Sequence, residues 1–162
     1  NRKIRDMLKE KYRVGIIGCG HIGGNYTQAF LGLSNQVEIV AACDLIEEKV
    51  KSFVGKWEIP APYTNMYEML STEELDIVGV TTHNREHVKP TIAAAEAGVK
   101  AILCEKPMAL NMADADRMIE ACEKSGTKLA IDHTMRFEPN WRRIKQMVDE
   151  GVIGRPTTHR GT

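Results

Sequence analysis

Three glycines and one aspartate have the residue types and the spacing that dinucleotide binding requires. Gly18, Gly20 and Gly23 form a G-x-G-x-x-G motif directly after a β-branched run. A helical pattern follows, and a second apolar run over residues 37–43 ends in Asp44. A strand, a glycine turn, a helix, a second strand and an acid in this order form the dinucleotide-binding fingerprint.

Each of these residues has a physical role in the expected site. Gly18 permits the tight turn, Gly20 lets the backbone approach a pyrophosphate, and Gly23 lets the helix pack closely on the strand. The N–H groups and the positive dipole end of the helix attract phosphates. Asp44 is placed to accept hydrogen bonds from the adenosine ribose and would repel a 2′-phosphate, so NAD is favoured and NADP is not excluded. The alternative is a purely structural strand–helix turn followed by a strand-ending aspartate.

A second group of polar residues follows an apolar run over residues 101–104. Glu105, Lys106 and Pro107 would lie at the carboxyl edge of the sheet, where open α/β folds bind their ligands. The amine of Lys106 could act as an acid or base, or could hold a substrate hydroxyl by hydrogen bonding. A cis bond before Pro107 would fix the turn and aim Lys106. The alternative is a solvated Glu–Lys pair without a chemical role.

Polar residues also follow two further predicted strands. Residues 81–87 read Thr-Thr-His-Asn-Arg-Glu-His after one strand, and Asp132 and His133 come after another. The segment 81–87 could line a nicotinamide pocket at the same edge, or could cap a helix as an exposed polar loop. His83 and His87 stand four residues apart, but no third ligand has suitable spacing, so we predict no metal site.

Alternating apolar runs and helical patterns predict the elements that position these residues. Strands are predicted over 12–17, 37–43, 75–80, 101–104 and 129–131, with a short extended segment at 60–62. Helices are predicted over 21–33 and 46–56, with further helices starting near Asn65, Pro90, Asn111 and Trp141, and a last strand starting at Thr157. Strands that alternate with helices at this spacing indicate βαβ units with right-handed crossovers, and therefore an α/β fold with a parallel sheet.

The composition excludes several classes of protein. Lys plus Arg and Asp plus Glu number 22 each, so the chain lacks the basic excess that a nucleic-acid-binding surface needs. No apolar run approaches the ~18 residues of a membrane span, and the N-terminal residues lack the apolar core of a signal peptide. The four cysteines form no C-x-x-C motif, so we expect buried reduced thiols, with Cys19 facing away from the ligand. A protein of the reducing cytoplasm fits these features.

The chain resembles the Gfo/Idh/MocA oxidoreductases, which include glucose–fructose oxidoreductase and inositol dehydrogenases. The resemblance covers residues 12–156 and rests on the glycine motif, the strand-ending aspartate, His-Asn-x-x-His, Glu-Lys-Pro and Arg-Phe-x-Pro in order, with residues 95–109 the most specific part. It implies a Rossmann-type doubly wound parallel sheet, followed in the family by an α+β domain that is absent from this chain. It also implies NAD(P)-dependent transfer of a hydride between the nicotinamide and a hydroxyl of a sugar, cyclitol or related polyol.

The resemblance implies roles for individual residues as well. Lys106 would be the catalytic residue, beside the nicotinamide and the substrate hydroxyl, and Glu105 would lie near the nicotinamide ribose. The implied cofactor-binding residues are Gly18, Gly20, His21, Ile22 and Gly23 at the pyrophosphate, Asp44 at the adenosine ribose, and Thr81, Asn84, His87, Glu105 and Lys106 elsewhere along the cofactor.

The length of the chain bears on its domain organisation. We expect an N-terminal arm or short helix over 1–11, a nucleotide-binding domain over 12–153 and the start of a second domain over 154–162. Members of the family are much longer, so their further catalytic Asp and His, their substrate surface and most of their homo-oligomer interface would fall beyond Thr162. This predicts a fragment that binds NAD with little or no turnover. Two other hypotheses are an NAD(H)-binding sensor or scaffold domain and a methyltransferase with a related glycine loop.

Overall fold

The structure is a computed structural model that describes residues 11–158. The chain divides into two compact units, of which the first ends at Asp132 and the second begins at His133. The first unit contains the sheet, and the second contains one helix and its flanking segments. The predicted arm over 1–11 lies outside the described residues, except for Lys11.

One sheet of six parallel strands forms the centre of the first unit. The strands are β1 (Tyr12–Ile17), β2 (Val37–Cys43), β3 (Ala61–Tyr63), β4 (Ile77–Val80), β5 (Ala101–Glu105) and β6 (Lys128–Asp132). Their spatial order is β3-β2-β1-β4-β5-β6, so the direction of winding reverses between β1 and β4. This arrangement confirms the predicted doubly wound α/β fold, and it opens a crevice at the carboxyl ends of β1 and β4.

Helices alternate with these strands. They are α1 (His21–Leu31), α2 (Glu47–Trp57), α3 (Met66–Thr72), α4 (Val88–Glu96) and α5 (Met112–Ser125), followed in the second unit by α6 (Pro139–Asp149). Two short 3₁₀ helices cover Asn84–Glu86 and Thr134–Arg136. Within residues 11–158, no helix combines the length and the apolar character that a membrane span requires.

The predicted caps are confirmed, whereas some predicted ends are wrong. The side-chain oxygens of Asn65 and Asn111 each accept a backbone N–H of the first helical turn, at 2.9 Å in both cases. Helix α1 ends earlier than predicted because Leu33 bonds to the carbonyl of Phe30, which tightens the chain out of the α-helix. The strand predicted from Thr157 does not begin at residues 157–158, and residues 159–160 lie outside the described part.

Two apolar clusters bury the sheet on both faces. Val78, Ile102 and Met118 belong to the cluster that includes residues of α4 and α5. Ile16 and Phe53 belong to the cluster that includes residues of α1 and α2. Because strands of this kind are covered on both sides, they read as nearly continuous apolar runs in the sequence.

The four cysteines are buried and unpaired, as the sequence predicts. Burial, the largest cause, raises the pKa of Cys19, of Cys43 and of Cys104 to about 12. The folded chain therefore disfavours the reactive thiolate at these three positions.

This burial predicts a loss of stability in alkaline solution. The pKa of Cys104 rises from 9.0 to about 12, so the unfolded chain releases its proton first. The stabilisation is complete below pH 9 and is lost as the pH rises toward 12. In that window one such thiol lowers the free energy of unfolding by about 1.4 kcal/mol per pH unit. Urea unfolding under reducing conditions at stepped pH measures the slope, and Cys104→Ala should reduce that slope by about this amount. An equal slope in both proteins would contradict the prediction.

Candidate functional site

The turn after β1 lies so close to β4 that Gly18 has no room for a side chain. Gly18 adopts a φ of +106°, and a Cβ there would lie 2.6 Å from the carbonyl carbon of Thr81 and 2.7 Å from the backbone nitrogen of Thr82. The N–H of Gly18 donates to the carbonyl of Cys43 at 2.8 Å. The turn therefore connects the carboxyl ends of β1, β2 and β4.

Gly23 and Thr81 fix the start of α1 on this turn. A Cβ on Gly23 would overlap with the carbonyl oxygen of Gly18. The buried hydroxyl of Thr81 donates to the same oxygen at 2.8 Å. The structure thus places Thr81, predicted beside the cofactor, with its hydroxyl on the backbone of the turn.

Gly20 differs from Gly18 and Gly23, because a side chain at Gly20 would point into open space. Apart from the two adjacent residues, no described atom lies within 4 Å of a Cβ built on Gly20. The first bond of α1 runs from the N–H of Gly24 to the carbonyl of Gly20, at 3.1 Å. The N–H groups of His21 and Ile22 therefore precede the hydrogen-bond ladder, at the positive end of the helix dipole. Gly20 and His21 also line a groove of about 530 Å³ between α1 and α2.

The carboxylate of Asp44 connects the end of β2 to the glycine turn. Its Oδ2 accepts the N–H of Cys19 at 3.0 Å, and its Oδ1 accepts the N–H of Ile46 at 3.0 Å. Each carboxylate oxygen can accept more than one hydrogen bond, and Asp44 is only half-buried. The side chain is therefore fixed in direction and still open to a hydroxyl donor.

Glu105 and Lys106 leave β5 at the same edge of the sheet. The Glu105 side chain is 13% exposed, and its Oε2 accepts the backbone N–H of Lys106 at 2.8 Å. The ammonium of Lys106 lies 3.7 Å from Oε1 of Glu105, and its side chain is 61% exposed. The peptide bond between Lys106 and Pro107 is cis. An anchored carboxylate thus stands beside an exposed ammonium.

His87 is fully buried, and each of its ring nitrogens lies within hydrogen-bond distance of a backbone carbonyl oxygen. Its Nδ1 lies 2.7 Å from the carbonyl oxygen of Pro107, and its Nε2 lies 3.1 Å from that of Thr82. The ring therefore ties the loop after β4 to the turn that carries Lys106. The sequence predicts His87 beside the cofactor, whereas in the structure both nitrogens face backbone carbonyls.

Asn84 and His83 have a different environment from His87. Asn84 begins the 3₁₀ helix after β4 and is exposed, and His83 next to it is also exposed. Within the described part of the chain, no three His, Cys, Asp or Glu side chains are arranged to hold a metal ion.

Sequence reasoning assigned no functional role to two residues that lie beside Glu105, namely Asp132 and Tyr26. Asp132 ends β6 and pairs in register with Glu105, and the carboxylates of both residues lie near the hydroxyl of Tyr26. The sequence presents Asp132 only as a polar residue after a strand, and Tyr26 only as an apolar position of α1. The predicted strands place Asp132 at the carboxyl edge of the sheet, but they do not show that β6 is the neighbour of β5 and so do not place it beside Glu105.

The glycine turn predicts opposite effects of alanine at two adjacent positions. Gly23→Ala should lower the free energy of unfolding by about 2 kcal/mol or more, because its Cβ would overlap with a backbone oxygen that cannot move freely. Gly24→Ala is the matched control, since its Cβ would meet Trp57 at an ordinary 3.6 Å and alanine favours the helix. Urea unfolding of both variants measures the difference, and equal stability of the two would refute this account of the turn.

Comparison with known proteins also indicates a dinucleotide-binding fold. The model of an oxidoreductase family with an NAD-binding Rossmann fold, Gfo/Idh/MocA, matches residues 12–133. The chain is 31% identical over 146 residues to inositol 2-dehydrogenase of Salmonella typhimurium. The matched region covers 89% of this chain and 43% of that protein. It is 35% identical over 147 residues to D-apiose dehydrogenase of Paraburkholderia graminis, covering 91% of this chain and 39% of that protein.

Solved structures of dehydrogenases share this fold. The WlbA dehydrogenase from Bordetella pertussis in complex with NADH and UDP-GlcNAcA superposes with a TM-score of 0.83 at 28% identity, covering 87% of this chain and 42% of that one. The myo-inositol 2-dehydrogenase from Lactobacillus plantarum gives a TM-score of 0.82 at 28% identity, covering 89% of this chain and 42% of that one. The chain therefore spans about two-fifths of the length of these relatives. With its glycine turn, strand-ending aspartate and Glu-Lys-Pro turn on this fold, the chain belongs to the Gfo/Idh/MocA oxidoreductase family, whose NAD-binding Rossmann fold is formed by residues 12–133.

Proposed function

We propose that the protein is an NAD-dependent dehydrogenase that transfers a hydride between the nicotinamide and a hydroxyl-bearing carbon of a sugar, cyclitol or related polyol. One observation carries this proposal. The glycine turn, Asp44 and Lys106 lie at one edge of the sheet, on both sides of the point where the strand order reverses. The substrate class rests on the relatives, which include inositol and apiose dehydrogenases.

The residues at this edge fit a dinucleotide. Gly20 leaves open space in front of the N-terminus of α1, which suits a pyrophosphate. Asp44, on the β2 side, has lone pairs left for the hydroxyls of an adenosine ribose. Lys106 lies on the β5 side, where the nicotinamide half would follow. Because the carboxylate of Asp44 would repel a 2′-phosphate, we propose NAD rather than NADP as the preferred cofactor.

Lys106 and its neighbours would orient the substrate. The bound NAD supplies the hydride chemistry itself. The ammonium of Lys106 would donate a hydrogen bond from Nζ to the reacting hydroxyl, and the anchored carboxylate of Glu105 would hold that ammonium in place. His87 would act as a positioning residue, since it bonds to the carbonyl of Pro107 in the same turn. The proposed role of Thr81 is likewise to hold the glycine turn.

Further features of the whole protein remain proposals. The buried free thiols support a reducing compartment such as the cytoplasm. The zero net charge supports a small-molecule substrate rather than a nucleic acid as the partner. Assembly into a homo-oligomer is proposed on the resemblance to the family alone.

Gly20 provides a direct test of dinucleotide binding. Gly20→Ala should weaken NAD binding at least about tenfold, because the new Cβ would fill space that the pyrophosphate needs. Its stability should change by no more than about 1 kcal/mol, since the Cβ meets no described atom within 4 Å. Calorimetry on the 162-residue chain measures the affinity.

The matched control for this test is Gly55→Ala. A Cβ on Gly55 also meets no described atom within 4 Å outside its own helix, but Gly55 lies near the end of α2 and not in the turn. Gly55→Ala should bind NAD with the affinity of the wild type. NADP should compete only poorly with NAD for binding to the wild type and to Gly55→Ala. Equal NAD affinity in Gly20→Ala and Gly55→Ala would contradict the proposed pyrophosphate site.

Lys106 provides a test of turnover in the whole protein. Lys106→Ala should lower kcat by about 100-fold or more, because it removes the donor to the reacting hydroxyl. NAD affinity should stay within about twofold, since the ammonium is exposed and only Glu105 pairs with it among the described residues. The absorbance of reduced nicotinamide, with inositols and aldoses as substrates, measures turnover.

Lys128→Ala is the control for this substitution, because Lys128 is exposed at the opposite, amino end of β6. It should leave both kcat and NAD affinity unchanged. If Lys106→Ala lost turnover and NAD affinity equally, Lys106 would have no specific catalytic role. NAD binding without turnover of any polyol by the whole protein would favour a sensor or scaffold domain instead.

A further inference from the structure

Two carboxylates stand side by side at the carboxyl ends of β5 and β6. Glu105 and Asp132 are directly paired in the parallel register of these strands. The preceding pair, Cys104 and Ile131, belongs to the apolar cluster that includes residues of α4 and α5. Since successive side chains alternate between faces, Glu105 and Asp132 project to the opposite face, where α1 lies.

Tyr26 of α1 extends toward this pair from the interior. The residue is only 5% exposed, and its hydroxyl makes no hydrogen bond of acceptable geometry with any residue in the described range. Burial first, and then the carboxylate of Asp132 with a smaller effect of Glu105, raises the pKa of Tyr26 above its ordinary value. The phenol therefore stays protonated. Buried donors without a partner are rare in native proteins, and titratable groups with perturbed pKa values cluster at functional sites.

The charges at this position are not balanced within the described chain. Glu105 has the ammonium of Lys106 at 3.7 Å and also the backbone N–H of Lys106. Within residues 11–132, Asp132 forms no ion pair, and the neutral hydroxyl of Tyr26 is the polar group that faces it. Like charges on directly opposed positions of neighbouring strands are unfavourable. A ligand with a positive charge near these carboxylates would relieve the repulsion.

The strand order indicates which part of a dinucleotide comes near the pair. Asp44 marks the adenosine half on the β2 side of the reversal, so the nicotinamide half belongs on the side of β4, β5 and β6. The oxidised nicotinamide ring carries a positive charge, and the reduced ring is neutral. The carboxylate pair therefore acts on the two redox forms differently.

Building on the proposed function, we propose that Glu105 and Asp132, with the Tyr26 hydroxyl beneath them, form an electrostatic subsite that favours the oxidised cofactor over the reduced one. Neither Asp132 nor Tyr26 belongs to the predicted cofactor-binding set. By linkage, a site that binds NAD⁺ more tightly than NADH makes the bound NADH a stronger hydride donor. The pair thus sets the redox balance of the site rather than its overall affinity.

The test compares the affinities of the 162-residue chain for NAD⁺ and for NADH by calorimetry. Asp132→Asn keeps the shape and removes one charge, so the preference for NAD⁺ should fall by about 3-fold to 10-fold. Asp116→Asn is the matched control, because it removes the same charge from an exposed position of α5 and should leave the preference unchanged. Tyr26→Phe should shift the preference less than Asp132→Asn, because it removes no charge.

The wild type gives an independent measurement if a variant fails to fold. Added salt should reduce the preference of the wild type for NAD⁺, since mobile ions screen the partly exposed carboxylate. If the wild type binds neither cofactor form, the proposed function itself fails. If both forms bind and the ratio of their affinities changes neither in Asp132→Asn nor with salt, the subsite is wrong and the proposed function stands.

Discussion

The close approach between the turn after β1 and the end of β4 is the constraint on which the rest of the site depends. Because Gly18 lacks a Cβ, the backbone of Thr81 can lie against the turn, and the Thr81 hydroxyl reaches the Gly18 carbonyl at 2.8 Å. Gly23 then packs over the same carbonyl and sets the direction of α1. One contact between segments 63 residues apart therefore aims a helix N-terminus into the crevice.

Contacts between side chains and backbone groups extend this order to the neighbouring strands. Asp44 bonds to the turn after β1 and to the segment that follows β2. The ring of His87 lies between the loop after β4 and the turn after β5, with its nitrogens 3.1 Å and 2.7 Å from a carbonyl oxygen of each. Loops without regular structure would otherwise leave their polar groups unpaired or mobile. Contacts of the Asp44 and His87 side chains with main-chain atoms thus hold the ends of β1, β2, β4 and β5 in one arrangement without a bound ligand. A precise binding site requires such preorganisation.

The local parts of this arrangement could be predicted from the sequence, and the non-local parts could not. The bounds of β1 and β2 follow from apolar runs that end at Gly18 and Asp44, and the caps at Asn65 and Asn111 involve bonds across two or three residues. The burial of His87, in contrast, depends on a carbonyl 20 residues away. The pairing of Asp132 with Glu105 depends on the register of two strands, and a single side-chain pattern contains no information on which strands are neighbours.

The polar groups at this edge fall into two sets with different consequences. Those bonded to the backbone, such as Thr81 and His87, hold the loops, and their hydrogen-bonding capacity is largely used. The second set consists of groups that carry a full or partial charge. The positive end of α1 lies at Gly20, and the carboxylates of Glu105 and Asp132 lie at the ends of β5 and β6. A dinucleotide has an anionic centre and, when oxidised, a cationic ring at one end. In the proposed binding mode, the charges along the edge of the sheet are therefore opposite in sign to the charges along that ligand.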